Sequence, residues 1–259
     1  MLLVVALVGF AAGVAINALA DSLPRSRTLA LPTCRSCGAS RAGFAWSGLL
    51  AFASGSSLCG YCDTPISLRH PIVELLAAAW SAILLLINPA PAVFWPACLL
   101  SMIFLLVIVI DFEHRLILHV VTGPAALAMA LIGSLDPSLG PLKTLLGGTV
   151  GFAAVFGLYL LGGLFARLIW RIRRLPLEEA AFGFGDVTLA GLIGLAVGYP
   201  GVLVALVLGI LAGGIFSLGY LVAMIARGRY VAFVPIPYSP FLVLGALVVY
   251  LGARTGLFA

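Results

Sequence analysis

Residues 98–111 read CLLSMIFLLVIVID, an uncharged and largely apolar run that ends on the carboxylate of Asp111. It forms the end of the apolar stretch 92–110, which is close to the length of about 20 predominantly apolar residues that a membrane-spanning helix needs. A second carboxylate, Asp186, closes the motif Gly183-Phe184-Gly185-Asp186 and opens another apolar run. Ionisable side chains in membrane segments are costly and usually functional, so both aspartates are candidates for a site.

The composition identifies the class of protein. Of 259 residues, 63% are hydrophobic and only 9% are charged, whereas a soluble domain carries about 25% charged residues. We therefore predict an all-α polytopic membrane protein whose surroundings are the lipid bilayer. The net charge of +5 does not indicate a nucleic-acid partner, because the basic residues lie in short loops rather than on one face.

Eight apolar stretches predict eight transmembrane helices, with ends accurate to a few residues. They are 2–20, 71–88, 92–110, 116–134, 144–166, 183–198, 200–224 and 237–253. The first leads directly into Asp21 without a basic start or a small-residue cleavage site, so we expect a membrane helix and not a cleaved signal peptide. The predicted domains are helix 1–20, a cytoplasmic metal-binding insert 21–70, and a transmembrane catalytic domain 71–259.

The loop charges predict the orientation. With eight spans, twelve basic residues fall on one side and only Lys143 and Arg254 on the other. Cytoplasmic loops carry the excess of basic residues, so the termini are expected to face away from the cytoplasm. Asp111 and Asp186 are then both predicted at the cytoplasmic ends of their helices.

Four of the five cysteines form two Cys-x-x-Cys pairs, a spacing typical of structural zinc sites. The predicted ligands are Cys34, Cys37, Cys59 and Cys62. Gly38 and Gly60 are expected to supply the turns, and an insert of about 50 residues is too small for much of a core without a metal. Two disulfides or free thiols are the alternative, and a cytoplasmic location argues against disulfides.

Two carboxylates that share one proton can perform aspartic-protease chemistry. One takes a proton from water and the other donates a hydrogen bond to the scissile carbonyl. The alternatives are a helix-end pair between Asp111 and Arg115, and a helix-dipole role for Asp186. Gly183 and Gly185 lack Cβ atoms and so let a substrate backbone or another helix approach closely.

Five motifs in order resemble the bacterial type IV prepilin peptidase family. They are residues 9–17 with 23–25, the paired cysteines with 66–76, 110–117, 182–189 and 236–242. The resemblance implies an inner-membrane aspartic endopeptidase that removes the basic leader of prepilins or pseudopilins after a Gly at the cytoplasmic face. It also implies methylation of the new N-terminus with S-adenosylmethionine. By motif, Asp111 and Asp186 carry over as the catalytic pair and the four cysteines as zinc ligands.

The chain departs from the family pattern at three places. A Pro followed by Asn or Asp is usual where this chain has Leu118-His119, Lys is common where it has Thr188, and Pro is frequent where it has Arg35. These departures concern loop shape and substrate contacts. Glu74 is expected to pair with Arg69 or to cap its own helix, with a role in methyl transfer as the alternative.

Two other functions fit the aspartates. A Gly-x-Gly-Asp protease that cuts within the bilayer is one, and the cysteine insert argues against it. A small transporter with the aspartates as a proton or cation site is the other. A transporter would more typically show repeated halves and charges at mid-membrane. The oligomeric state cannot be predicted from the chain.

Overall fold

The computed structural model describes residues 1–27, 32–34, 36–41, 43–173, 183–229 and 236–254, and these residues are helical apart from loops and two isolated β-bridges. The elements are α1 (Leu2–Ser26), a 3₁₀ turn (Gly43–Trp46), α2 (Gly48–Ala53), α3 (Arg69–Ile87), α4 (Pro91–His114), α5 (His119–Leu135), α6 (Gly140–Arg173), α7 (Phe184–Val197), α8 (Gly201–Ala226) and α9 (Ser239–Arg254). Arg35, and Phe182 at the start of the fourth motif, lie outside the described residues.

Every predicted span coincides with a helix, which confirms the all-helical membrane class. Among the described residues, five helices are long and apolar enough to cross a membrane: α1, α3, α4, α6 and α8. The other three, α5, α7 and α9, have 17, 14 and 16 residues. The number of eight spans therefore stays a prediction.

The first helix continues beyond its predicted end. It runs through Pro24 to Ser26 and stops where Arg27 adopts a left-handed conformation, φ 54°, with its N–H on the Leu23 carbonyl at 3.0 Å. Proline removes only one backbone donor, and near the C-terminal end the rest of the helix is unaffected. Asp21 consequently lies on the helix and not in the insert.

Residues Met1–Leu116 form one compact unit. Within it α1 packs against α3 at backbone distance, because a Cβ at Gly13 would lie 2.7 Å from the Glu74 Cα atom. Arg69 at the start of α3 pairs with Asp21 near the end of α1 at 2.8 Å, and with Glu113 near the end of α4 at 2.6 Å. These three helix ends therefore lie together.

Residues Ile117–Ala259 form the second unit, in which α7 is the core helix. It contacts α5, α6, α8 and α9, and its Val187, Leu189 and Ile193 are fully buried. At the end of this unit opposite the start of α7, Arg254 pairs with Asp136 at 2.6 Å. The Arg254 guanidinium also lies 3.8 Å from the centre of the Tyr250 ring. The ends of α5 and α9 thus lie together.

Glycines bring α6 and α7 into backbone contact. A Cβ at Gly194 would collide with the carbonyl of Gly147, a Cβ at Gly147 would collide with that of Gly194, and one at Gly151 with that of Ala190. Small residues allow such close packing of membrane helices. This contact holds the helix that carries Asp186.

Replacing Gly194 by Ala is expected to destabilise the second unit by about 1–3 kcal/mol, because backbone atoms on both helices would have to move apart. Thermal unfolding in detergent measures the effect. Gly157→Ala is the matched control, since a Cβ at Gly157 meets open space and Ala favours the helix. Equal melting temperatures for the Gly194 variant and wild type would contradict the packing account.

Candidate active site and metal centre

Asp111 is a buried carboxyl near the C-terminal end of α4, with 7% of its surface exposed. The helix ends three residues later, where Arg115 adopts φ 53° and donates its backbone N–H to the Asp111 carbonyl at 2.8 Å. The helix therefore closes just after Asp111, within the first unit.

Asp186 is the third residue of α7, in the second unit. Its Oδ2 atom accepts the backbone N–H of Gly183 at 2.9 Å, so one carboxylate oxygen caps the helix. The predicted alternative, an anion at a helix N-terminus, thus describes part of what this side chain does. A carboxylate has two oxygens, so capping through one of them is compatible with chemistry at the group.

Neighbours of Asp186 come from the starts of α5 and α9. A Cβ at Gly185 would lie 2.6 Å from the Ile117 Cβ, so this glycine permits close approach of the turn before α5. A Cβ at Gly183 would have no such close neighbour, and the φ of Gly183 is an ordinary −82°. The Asp186 charge also acts on the phenol of Tyr238, directly before α9. Asp111 and Asp186 belong to different units, and their pairing stays a prediction.

A cleft of about 530 Å³ opens between α5 and α6, with α7 as its floor. Its lining includes His119 and Thr188, two of the positions at which the sequence departs from the family pattern. Phe184 of the Gly-x-Gly-Asp motif also lines the cleft, and its ring lies edge-on to that of His119, with 5.6 Å between the ring centroids. The sequence contained a signal for this cleft, because small residues recur at helical spacing along all three helices, but their joint placement was not predicted.

The four predicted metal ligands lie together. Their sulfur atoms are all within 4.8 Å of one another, with Cys34 and Cys62 3.6 Å apart and Cys37 and Cys59 3.7 Å apart. Zn–S bonds of about 2.3 Å in a tetrahedron place sulfurs about 3.8 Å apart. The cluster could hold a metal ion, and its spacing fits zinc.

Each Cys-x-x-Cys pair lies in a tight turn of the same kind. The backbone carbonyl of Cys34 accepts the N–H of Gly38 at 3.0 Å, and the backbone carbonyl of Cys59 accepts that of Asp63 at 3.0 Å. Gly38 has φ +73° and Asp63 has φ +52°, so the residue after the second cysteine is left-handed in both turns. The prediction that Gly60 supplies the second turn is wrong, because Asp63 takes that conformation, which Asp tolerates better than most residues.

The turns also prepare the thiols for a cation. The backbone N–H groups of Cys37 and Ser36 point at the Cys34 sulfur and lower its pKa to about 6. Hydrogen bonds from the hydroxyl and the backbone N–H of Thr64 likewise lower the pKa of Cys62. Metal ligation requires thiolates, so these two ligands are shifted towards the binding form. The pKa of Cys37 is shifted the other way: although the backbone N–H of Ala39 lowers it, the neighbouring Cys62, Cys59 and Cys34 sulfurs raise it to about 12.

Glu74 is fully buried and caps a helix other than its own. Its carboxylate accepts the Ser47 hydroxyl at 2.7 Å and the N–H groups of Gly48 at 2.8 Å and Leu49 at 2.9 Å, at the start of α2. The predicted pair between Glu74 and Arg69 is wrong, because Arg69 pairs with Asp21 and Glu113. Glu74 fastens the insert to α3.

Replacing Glu74 by Gln is expected to destabilise the insert by about 1–3 kcal/mol, because the new amide would direct a donor at another buried donor. The measurement is the rate of limited proteolysis around α2. Glu113→Gln is the control, since this partly exposed ion pair is worth less. Identical cleavage rates in the Glu74 variant and wild type would rule out the capping role.

Two family models match the chain. Residues 98–218 match that of the type IV leader peptidase family, and residues 7–87 match that of the bacterial peptidase A24 N-terminal domain. The first match contains both aspartates and the second contains all four clustered cysteines.

Three relatives named prepilin leader peptidase/N-methyltransferase show the same similarity. That of Xanthomonas campestris is 30% identical over 195 residues, covering 73% of this chain and 61% of the relative. That of Aeromonas salmonicida is 27% identical over 74% of this chain and 61% of the relative. That of Burkholderia pseudomallei is 29% identical over 87% and 69%. The chain thus spans about three fifths of the first two relatives, and no solved structure matches it significantly.

Proposed function

Because the chain belongs to the type IV leader peptidase family, we propose that it is a membrane aspartic endopeptidase that removes the leaders of prepilins or pseudopilins. The observation that carries this proposal is the family match over 98–218, which includes Asp111 and Asp186 together. The relatives' shared name supports the same substrate class. A transporter would leave both the match and the cysteine cluster without explanation.

The proposed chemistry uses the two carboxyl groups as a pair. The ionised one takes a proton from a water molecule, and the resulting hydroxide attacks the scissile carbonyl carbon. The protonated one donates a hydrogen bond to the carbonyl oxygen, where negative charge develops, and a proton then passes to the departing amine. Gly183 and Gly185 support Asp186, the first as donor to its carboxylate and the second by admitting Ile117.

The proposed topology has eight spans in the cytoplasmic membrane of a bacterium. In this topology the shorter helices α5, α7 and α9 cross the membrane together with the five long ones. Because basic residues concentrate in cytoplasmic loops, both aspartates are assigned to the cytoplasmic face. The contacts of Arg69 in the first unit and of Arg254 in the second support this arrangement, because each joins helix ends that it assigns to one side. Water can then reach the carboxylates without crossing the hydrocarbon.

Two cofactors are proposed. Cys34, Cys37, Cys59 and Cys62 would hold a structural Zn²⁺, which would organise the insert of residues 21–70. The name of the relatives also supports transfer of a methyl group from S-adenosylmethionine to the new N-terminus. In that reaction the amine nitrogen would form a bond to the methyl carbon and lose a proton, while the bond between that carbon and the donor's sulfur would break and S-adenosylhomocysteine would leave.

The direct test is incubation of the purified protein with a model prepilin in detergent, with and without S-adenosylmethionine. Mass spectrometry of the product should show loss of the leader after its Gly and, with the methyl donor, one added methyl group. An intact prepilin after long incubation with several substrates would overturn the peptidase proposal. Cleavage without methylation would overturn the methyltransferase part alone.

A further inference from the structure

Arg69 joins the ends of three helices within the first unit. It is the first residue of α3, and its two terminal guanidinium nitrogens donate to two different carboxylates. Nη2 donates to Asp21 Oδ1 at 2.8 Å, near the end of α1, and Nη1 donates to Glu113 Oε2 at 2.6 Å, near the end of α4. Charge-assisted bonds of this kind are about twice as strong as neutral ones. One side chain therefore fixes where three helices end relative to one another.

The bridge from Asp21 through Arg69 to Glu113 is largely shielded from water. The adjacent residue strengthens it, because His70 Nε2 lies 3.1 Å from the second oxygen of the Asp21 carboxylate. Ion pairs on an open surface contribute little, since water and salt screen them, but screening weakens as the groups become buried. The bridge is thus able to constrain the geometry of the helix ends.

Asp111 lies in the helix end that the bridge holds. It is three residues before His114, the last residue of α4, and so belongs to the final turn of that helix. The last carbonyls of a helix lack partners within it, and helix ends fray. Glu113 is in the same turn as Asp111, so its bond to Arg69 restrains the turn that carries the proposed catalytic carboxyl group.

Arg69 acts on Asp111 through the helix backbone. Residues two positions apart project from roughly opposite faces of an α-helix, so the side chains of Glu113 and Asp111 point in different directions. Arg69 consequently holds α4 by the face turned away from the Asp111 carboxyl group. A role of Arg69 in the reaction would be to position that group and not to exchange protons with it.

We propose that Arg69 is a positioning residue for the peptidase, which holds the last turn of α4, and with it Asp111, where the carboxyl group reacts. The proposal rests on the proposed peptidase function. Catalysis depends steeply on the placement of reacting groups, and a misplacement of about 1 Å can cost about 10²-fold in rate. Because Asp21 and Arg69 flank the insert in the sequence, the same guanidinium also joins the insert to the helix end that carries Asp111.

Steady-state cleavage of a model prepilin by Arg69→Gln and Glu113→Gln proteins tests the proposal. Arg254→Gln is the matched control, because it removes an ion pair of the same length and burial elsewhere. The Arg69–Glu113 and Arg254–Asp136 pairs are both 2.6 Å long, with side chains 13% and 23% exposed in the first and 13% and 19% in the second. We expect kcat of the two test variants to fall about tenfold with KM changed less than about twofold, and neither constant to change in the control.

Two kinetic results would overturn the proposal. One is a rise in KM at constant kcat in the test variants, which would indicate contact with the substrate. The other is an equal loss of kcat in the Arg254 control, which would indicate a general effect of losing an ion pair. The Glu113 variant keeps the bond between Arg69 and Asp21, so it tests the proposal even if the Arg69 variant does not fold.

A double variant separates one shared bond from two independent effects. If Arg69 and Glu113 act through the bond between them, Arg69→Gln combined with Glu113→Gln should have the same kcat as Arg69→Gln alone. Effects that multiply in the double variant would mean that the two residues act separately, and the positioning role would be refuted.

Hydrogen exchange gives a readout that does not need activity. Amide exchange of residues 108–115 is followed by mass spectrometry in detergent for wild type and the three single variants. We expect loss of protection in this segment in the Arg69 and Glu113 variants and none in the Arg254 variant. Unchanged protection in both test variants would overturn the positioning role whether or not prepilin is cleaved, whereas a wild type that cleaves no prepilin would count against the peptidase proposal.

Discussion

Asp111→Asn and Asp186→Asn proteins are each expected to cleave prepilin about 10²–10⁴-fold more slowly than wild type, the usual loss when a catalytic acid or base is removed. Asn has nearly the shape of Asp, but its amide cannot take up or release a proton near neutral pH. The proposed mechanism uses the two carboxyl groups as a unit, so the double variant should be little slower than either single one. Initial rates of leader removal in detergent are the measurement.

The control for this prediction is Asp136→Asn, which removes a carboxylate that pairs with Arg254 at the far end of the second unit. It should retain most of the activity although it loses an ion pair. Thermal unfolding identifies any variant that has lost its fold. A well-folded Asp111 or Asp186 variant that still cleaves at a rate near that of wild type would remove that residue from the mechanism.

Cys37→Ser is expected to abolish binding of about one equivalent of zinc and to make the insert sensitive to proteases, because apparent binding energies of structural zinc sites reach roughly 10 kcal/mol. Cys37 is the suitable position, since its side chain is exposed and its loss removes a ligand without removing core packing, whereas Cys34 is buried. Metal content by mass spectrometry and the proteolysis pattern of residues 32–66 measure the two effects.

Cys98→Ser is the matched control for the metal site. Cys98 is buried in α4 with its sulfur 3.8 Å from the Ser81 hydroxyl, and it is not part of the cysteine cluster. This variant should bind metal as wild type does. Full zinc occupancy of the Cys37 variant, or a wild type whose mass shows two disulfides and no metal, would refute the zinc prediction.

The membrane class, the helix positions and the clustering of the four cysteines could be predicted from the sequence because each depends largely on neighbours along the chain. An apolar run such as 98–110 needs no tertiary partner to favour a helix in a bilayer. The Cys-x-x-Cys turns likewise present both sulfurs of a pair locally, and the structure joins Cys34 and Cys37 to Cys59 and Cys62 as predicted. The helix boundaries were less accurate, as the extension of α1 past Pro24 shows.

Partners that lie far apart in the sequence were decided by packing alone. Glu74 was assigned to Arg69 from proximity along the chain, yet burial of its carboxylate required the free N–H groups at the start of α2. The glycines that matter in α6 are Gly147 and Gly151, because α7 crosses there, while Gly157 meets open space. The sequence by itself determined which segments are helical and which side chains can bind metal. Only the tertiary structure decided which helix faces meet and where the cleft between α5 and α6 stays open, because those depend on how side chains from distant segments fill space together.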